Sequence, residues 1–447
     1  MSKITVDFKT NNGPIKPMHA VNNGPVRQNC ELGRKDNFEA YSKARIPYAR
    51  THDASFCAMY GGEHIVDVHA IFPDFNANPY DESSYDFQLT DEYLQTIKDA
   101  GTEVFYRLGT KIEHESKKYG TIVPADFHKW AVICEHIIRH FNEGWAKGFH
   151  HNIVYWEIWN EPDGVKANGD KPNWSGTPQQ FFDLYIEAAT HLKRCFPNIK
   201  IGGPGLSGFY NIKWAEKFLS ALTANGERVP LDFFSWHWYH QDVSHLAQRI
   251  DLAREFLDRY GYTETESILD EWNYVEGWDD LWQDSILGMI GMRGAAFNAA
   301  CMITGQTHKL DMLMYYDARY GTVMNGLFDF YTYRPFKGYY VFSMYSELYQ
   351  MEHSCTCESD DKDIYCLAAT NNDSKGIMIA HYSLDKKAEP KEVRLQLSDD
   401  TSEGKWQAFY LDGERTMESD YIEVTQGMAT LTLPGDSVML LKRDKSV

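Results

Sequence analysis

Val154-Tyr155-Trp156-Glu157-Ile158-Trp159-Asn160-Glu161-Pro162 is a β-rich, aromatic run that ends in a carboxylate followed by proline. Valine, isoleucine, tyrosine and tryptophan suit a pleated strand, and Pro162 brings no N–H to a ladder, so pairing stops where Glu161 emerges into a loop. A second run, Ser267-Ile268-Leu269-Asp270-Glu271-Trp272-Asn273-Tyr274, repeats the pattern: a short apolar strand, then a glutamate among aromatic and amide residues. Two strands that each deliver a glutamate make Glu161 and Glu271 a candidate carboxylate pair.

Around these two runs, short apolar strands alternate with amphipathic helices, the pattern of a parallel sheet closed by helices. The strands are expected at 15–22, 46–53, 102–109, 154–161, 199–204, 232–239, 267–272 and 311–317. Eight of them predict an α/β fold, a (β/α)8 TIM barrel. The intervening helices carry their own signals. Thr177-Pro178-Gln179-Gln180 is a capping box with proline at the first helical position, followed by Phe181, Leu184, Tyr185, Ala188 and Leu192 at helical spacing. Ser244 is the expected cap of a helix striped by Leu246, Ile250, Ala253 and Leu257 and closed by Gly261. A further helix is expected over 90–101, and a last one over 335–351.

Beyond that helix, alternating strands at 364–369, 376–382, 393–397, 406–411, 428–433 and 437–441 carry a β-sandwich signature. The strand Ile4-Thr5-Val6-Asp7-Phe8 is expected to join it. The organisation is thus a catalytic barrel over 15–352 and an accessory β-sandwich over 353–447 with the strand from 1–14, read as a buttress to the barrel before a carbohydrate-binding module. Two connections are too long for bare loops, 54–88 and 163–175, and both are expected to wall the mouth of the barrel.

The chain carries 44 basic against 64 acidic residues, a net charge of -20, with no Lys/Arg block, which argues against nucleic acid and anionic membranes as partners. Cys30, Cys57, Cys134, Cys195, Cys301, Cys355, Cys357 and Cys366 show no CxxC spacing and read as reduced thiols. The N-terminal residues lack the apolar core of a signal peptide, and no stretch approaches the roughly 20 apolar residues of a membrane span. As it stands the chain reads as cytoplasmic, a removed leader aside. Assembly into a homo-oligomer is left open.

Barrel enzymes build their sites at the C-terminal ends of the strands. There the sequence places Arg50, His52 and Asp53 after the second strand, Asn160 and Glu161 after the fourth, His237 and Tyr239 on the sixth and Glu271 on the seventh. A two-residue period puts His237 and Tyr239 on the side opposite Trp236 and Trp238. Two glutamates among aromatic residues, with no metal-ligand spacing and no phosphate loop, fit glycoside hydrolysis, in which one carboxyl protonates the leaving oxygen and the other attacks the sugar or activates water. That chemistry calls for no cofactor and no metal.

Trp159-Asn160-Glu161-Pro162 and Asp270-Glu271-Trp272-Asn273 resemble the acid/base and nucleophile motifs of the large clan of retaining (β/α)8 glycosidases. Within it, Arg50-Thr51-His52, Phe234-Ser235-Trp236-His237-Trp238-Tyr239 and the C-terminal sandwich resemble glycoside hydrolase family 39, the β-xylosidases and α-L-iduronidases. Asp163 stands where that family more often has asparagine. The resemblance implies a retaining glycosidase, a β-xylosidase-like exo-enzyme acting on plant-type oligosaccharides, with a uronidase or another retaining glycosidase of the same clan as the alternative. Glu161 would be the general acid/base, in an apolar setting that raises its pKa, and Glu271 the nucleophile. Asn160 would hold the sugar 2-hydroxyl, Tyr239 would hydrogen-bond Glu271, and His52 and His237 would line the first sugar subsite. Two rivals stand beside this reading. A uronidase would need a cation, for which Lys111 and Arg319 are placed after the third and eighth strands. A sugar-binding protein without turnover would be excluded by hydrolysis of any aryl glycoside.

Overall fold

A computed structural model of the chain describes residues 1–27, 36–54, 64–209, 211–224, 226–319, 322–398 and 403–444. Strand β1 (Ser2–Asp7) precedes eight parallel strands that close on themselves: β2 (Ala20–Asn22), β3 (Tyr48–Thr51), β4 (Glu103–Leu108), β5 (Tyr155–Ile158), β6 (Lys200–Leu206), β7 (Phe233–His240), β8 (Glu266–Tyr274) and β9 (Met312–Tyr315). β9 returns to β2, with Ala20 opposite Met314 and Val21 opposite Tyr315, so the barrel has no edge. The expected (β/α)8 barrel is the fold, although strand ends move. The fourth barrel strand stops at Ile158, because Trp159 and Glu161 take φ values of +80° and +46°, left-handed conformations that leave the β ladder.

Alternation along the strands fills the interior in layers. At the N-terminal end Phe105, Tyr155, Phe233, Ile268, Met312 and Met314 form an apolar plug. One period further on, the buried polar residues Arg50, Glu157, Ser235 and Asp270 meet, and above them His52, His237, Tyr239 and Glu271 reach the mouth. The β7–β8 pairing slips between these layers: Leu269 faces Trp236, but Glu271 faces His237. Asp270 is thus an extra residue, and the bulge lets two successive carboxylates both reach Arg50, where strict alternation would send one outward.

The helix Pro178–Cys195 starts as expected, with Gln180 N–H donating to Thr177 Oγ1 at 3.2 Å and Thr177 N–H to Gln180 Oε1 at 2.9 Å. The helix Val243–Arg259 corrects the expected cap. Asp242, not Ser244, closes its first turn by accepting the Ser244 N–H at 2.9 Å, and the Ser244 hydroxyl donates to the same carboxylate. No single helix among the described residues is long and apolar enough to cross a membrane.

The remaining strands are β10 (His353–Ser359), β11 (Ile364–Thr370), β12 (Ser374–His381), β13 (Lys391–Leu397), β14 (Gly404–Leu411), β15 (Thr416–Val424), β16 (Met428–Leu433) and β17 (Ser437–Asp444). With β1 they form one sheet in the order β15-β14-β17-β12-β11-β10-β1-β13-β16. β1 joins it as expected, antiparallel to β10 and parallel to β13. The sheet folds over a core in which Ile4, Val6, Leu395 and Leu431 meet Ile377, Ile379, Trp406 and Met439. The other face of β12 and β17, carrying Met378, Ala380, Val438 and Leu440, belongs to the barrel's own core. Burial on both faces makes these two strands continuous apolar runs rather than the alternating strands expected. Two strands went unforeseen: β10 is rich in Ser, Thr and Cys, and β15 is an exposed edge without apolar alternation. The six cysteines among the described residues are free thiols, while Cys30 and Cys57 lie outside them.

Candidate active site

Arg50 organises the mouth from below. Fully buried, it donates from Nε to Glu157 Oε2 at 2.7 Å, from Nη1 to Glu271 Oε1 at 2.7 Å and Asn22 Oδ1 at 3.1 Å, and from Nη2 to Asn160 Oδ1 at 2.7 Å. Glu157 also accepts the Ser235 hydroxyl at 2.6 Å. Asp270 Oδ2 lies 3.0 Å from Arg50 Nε, but that N–H is aimed at Glu157, and neither Asp270 oxygen has a hydrogen-bond donor. Two buried carboxylates around one guanidinium separate in their ionisation. For Asp270, burial and then the Glu157 charge push the carboxyl well above its usual range, the direction that favours its neutral form. For Glu157, Arg50 and the hydrogen bonds it accepts outweigh burial and hold it ionised. Gly205, at φ +61°, gives this cluster room, since a side-chain carbon there would stand 3.2 Å from Glu157 Oε1 and 3.4 Å from Arg50 Nη2.

Glu271 is held at both oxygens. Oε1 accepts from Arg50 and lies 3.5 Å from His52 Nε2, while Oε2 accepts the Tyr239 hydroxyl at 2.8 Å and lies 3.3 Å from His237 Nδ1. Burial alone would raise its pKa, but His237, His52, Arg50 and the Tyr239 hydrogen bond bring it down to about 2. His52 is oriented by Asp53, whose Oδ2 lies 3.0 Å from Nδ1, and Asp53 in turn accepts the Tyr316 hydroxyl at 2.8 Å.

Glu161 stands opposite on the loop that follows β5. Its N–H donates to Gly205 O at 2.7 Å, and its carboxylate meets His237 Nδ1 at 2.8 Å and the Asn173 side-chain amide at 2.8 Å. The apolar setting expected for Glu161 is therefore not what surrounds it: a histidine, an amide and partial solvent exposure do. Burial lowers the His237 pKa, yet the adjacent Glu271 and Glu161 carboxylates raise it further, so the net shift is upward. An oxygen of Glu161, a ring nitrogen of His237 and an oxygen of Glu271 all lie within 4.8 Å of one another.

All six residues expected at the site thus meet at one end of the barrel: Glu161, Glu271, His52, Asn160, His237 and Tyr239. The connection after Pro162 walls it as expected, through Asn173. Asp163 turns away from the sugar side, accepting the Ser207 N–H and hydroxyl at 3.0 Å each, and burial lifts its pKa to about 6. Of the long connection 54–88, residues 55–63 lie outside the described residues. Around Asp67 it packs on the C-terminal end of β4, where Asp67 accepts from Arg107 at 2.6 Å, while Tyr80, Tyr85 and Phe87 lie against the helix Phe127–Glu143. Sequence reading placed Arg50 at the strand ends and Asn173 within a wall of the cleft without giving either a role, and it missed Glu157 and Asp270 as members of the site. A charged residue inside an otherwise apolar strand was the available signal for those two.

Among the described residues, three clusters combine atoms of metal-ligating type: Glu161 with His237 and Glu271, His64 with Asp67 and His69, and Glu135 with His191 and Cys195. In each, a carboxylate is already ion-paired to an arginine, to Arg50, Arg107 and Arg139 respectively, so a divalent cation would stand beside a guanidinium. These donor sets fit ion-pair networks better than a metal site.

A closed parallel barrel with two glutamates facing each other across its C-terminal mouth is the architecture of the barrel glycoside hydrolases. The family model for glycosyl hydrolases family 39 matches residues 3–251, more than half of the chain, and the chain belongs to that family. It is 28% identical over 173 residues to a beta-xylosidase of Caldicellulosiruptor saccharolyticus, covering 36% of this chain and 32% of that protein. It is 31% identical over 124 residues to a beta-xylosidase of Geobacillus stearothermophilus, covering 27% of this chain and 22% of that one. The chain thus spans about a third or less of the length of the curated relatives it matches. Its fold superposes on the crystal structure of a glucosidase from Croceicoccus marinus with a TM-score of 0.80 at 21% identity, over 99% of this chain and 98% of that one.

Proposed function

We propose that the protein is a retaining glycoside hydrolase of β-xylosidase-like specificity, with Glu271 as nucleophile and Glu161 as general acid/base. The observation that carries this reading is the approach of Glu161 and Glu271 oxygens to within 4.8 Å. Retaining enzymes place their carboxyl groups about 5–5.5 Å apart and inverting ones about 6.5–9.5 Å, where a water must fit between carboxylate and sugar. In the first half-reaction an oxygen of Glu271 bonds to the anomeric carbon while Glu161 gives a proton to the departing oxygen. In the second, Glu161 takes a proton from water, whose oxygen displaces Glu271.

The supporting residues divide the work. Arg50 and Tyr239 keep Glu271 ionised and fix its oxygens, so little reorganisation precedes attack. His237 Nδ1, 2.8 Å from Glu161 Oε1, and the Asn173 amide, 2.8 Å from Oε2, orient the carboxyl that faces the leaving group. Asn160 gives its carbonyl oxygen to Arg50, which leaves its amide N–H groups for the sugar 2-hydroxyl. The test is a panel of aryl β-xyloside, α-arabinoside, β-glucoside, β-galactoside and uronide substrates. Cleavage of the xyloside ahead of the others is expected, and no cleavage of any would favour a sugar-binding protein.

The same panel decides the second reading, an acidic sugar. A cleft of about 420 Å³ opens beside Asp53 and is lined by Lys111, Lys117, His114, Tyr316 and Arg319. Burial, then Lys166, Lys111 and Lys118, lower the His114 pKa, while Asp53, Glu113 and Glu115 line the same cleft. Against this reading, Lys111 lies 3.1 Å and Arg319 3.7 Å from Asp53, so both cations already face a carboxylate. Preferential cleavage of a uronide would overturn the xylosidase assignment and keep the mechanism.

A further inference from the structure

The wall of the site continues outward past the two glutamates. Tyr239, whose hydroxyl holds Glu271 at 2.8 Å, meets the Trp278 ring edge-on, with centroids 5.3 Å apart at 72°. Trp278 stacks in turn on Trp282, at 5.2 Å and 17°. Trp278 is nonetheless 57% exposed. An indole left in water forgoes a large burial gain, and a lone exposed tryptophan on a slack loop would mean little. This loop is not slack. Ser285 Oγ accepts the N–H groups of Glu276 at 2.9 Å and Gly277 at 3.3 Å and donates to Leu281 O at 2.9 Å. The Trp282 N–H donates to Asp279 O at 3.0 Å. Glu276 accepts the Tyr274 hydroxyl at 2.6 Å and pairs with Lys386 of the sandwich at 2.7 Å. The fold therefore fixes an aromatic face in solvent, one ring beyond the residue that holds the proposed nucleophile.

We propose that Trp278, backed by Trp282, is a stacking platform for the sugar ring adjoining the one held between Glu161 and Glu271, so that the substrate is an oligosaccharide. This rests on the glycosidase reading and adds a second subsite to it. A pyranose presents a face of C–H groups that packs on an indole, and its hydroxyls point outward to solvent at the rim. The continuity of the aromatic surface from Tyr239 to Trp278 assigns the platform to the substrate rather than to a second copy of the chain, for which the exposed Leu281 and Leu287 nearby would be the alternative contact.

The test compares the chain with its Trp278→Ala and Trp278→Phe variants on xylotriose and on β-xylosyl fluoride, whose leaving group is too small to reach the adjoining ring's position. The expected result is a rise of about tenfold in KM for xylotriose in Trp278→Ala, with the xylosyl fluoride kcat/KM within about twofold of the parent and Trp278→Phe close to the parent on both. Equal losses on both substrates, or no change on xylotriose, would overturn the platform. So would a change of oligomeric state on size exclusion with the xylotriose KM unaltered, which would make the patch a subunit contact. If the parent chain cleaves neither substrate, the hydrolase reading fails separately. The platform is then judged by quenching of tryptophan fluorescence by xylotriose: a quench lost in Trp278→Ala upholds it, and an equal quench overturns it.

Discussion

Replacing Glu271 by alanine is expected to lower kcat by roughly 10⁴- to 10⁶-fold, the scale of loss seen when a covalent nucleophile is removed. Steady-state kinetics on a good aryl glycoside reads it. The change also strips one acceptor from Arg50 and one from Tyr239, and breaking a buried pair costs about 3–5 kcal/mol. Part of an activity loss in the alanine variant could therefore reflect unfolding. Glu271→Gln separates the two effects: it keeps an oxygen for Arg50 and the shape of the side chain but is a far poorer nucleophile. It should match the alanine variant in lost turnover while melting closer to the parent. Near-parental turnover in either variant would place the nucleophile elsewhere.

Glu161→Ala should show a different pattern, because the acid matters only to the extent that the leaving group needs a proton. For glycosides with alkyl or sugar leaving groups a loss of about 10²- to 10⁴-fold is expected, the ordinary range for general acid catalysis. For a dinitrophenyl glycoside, whose phenolate leaves unaided, the rate of the first half-reaction should fall little. The ratio of the two losses is the measurement. Equal losses on both substrates would mean that Glu161 shapes the site without transferring a proton. His237, freed of one carboxylate in this variant, should also lose part of the upward pKa shift that the Glu161 contact contributes.

The barrel and both glutamates were legible because their signals are local. A capping box, a helical stripe and a strand that breaks at Pro162 each lie within a few residues. The surroundings of the glutamates were less so. Glu157 and Asp270 meet Arg50 only after β3, β5 and β8 curl around one axis, and no sequence period reports that. The bulge that brings Asp270 and Glu271 to the same side arises from the pairing of β7 with β8 and breaks the alternation on which reading a single strand depends. Asn173 returns across a loop to Glu161, and with His237 it makes polar a position that the family resemblance had implied was apolar. Asp242 and Ser244 both fit a helix cap by type, and only the backbone geometry selects the former. Strands β10 and β15 escaped notice because one is polar and the other faces solvent on a sheet edge.

The central claim is double displacement between Glu161 and Glu271, and the stereochemistry of the first product tests it most directly. Proton NMR of an aryl glycoside during its first minutes of hydrolysis, before mutarotation, should show the sugar released with the anomeric configuration of the substrate. A 2-fluoro glycoside should leave a covalent label on Glu271. A first product of inverted configuration, or a label on any other residue, would contradict the account.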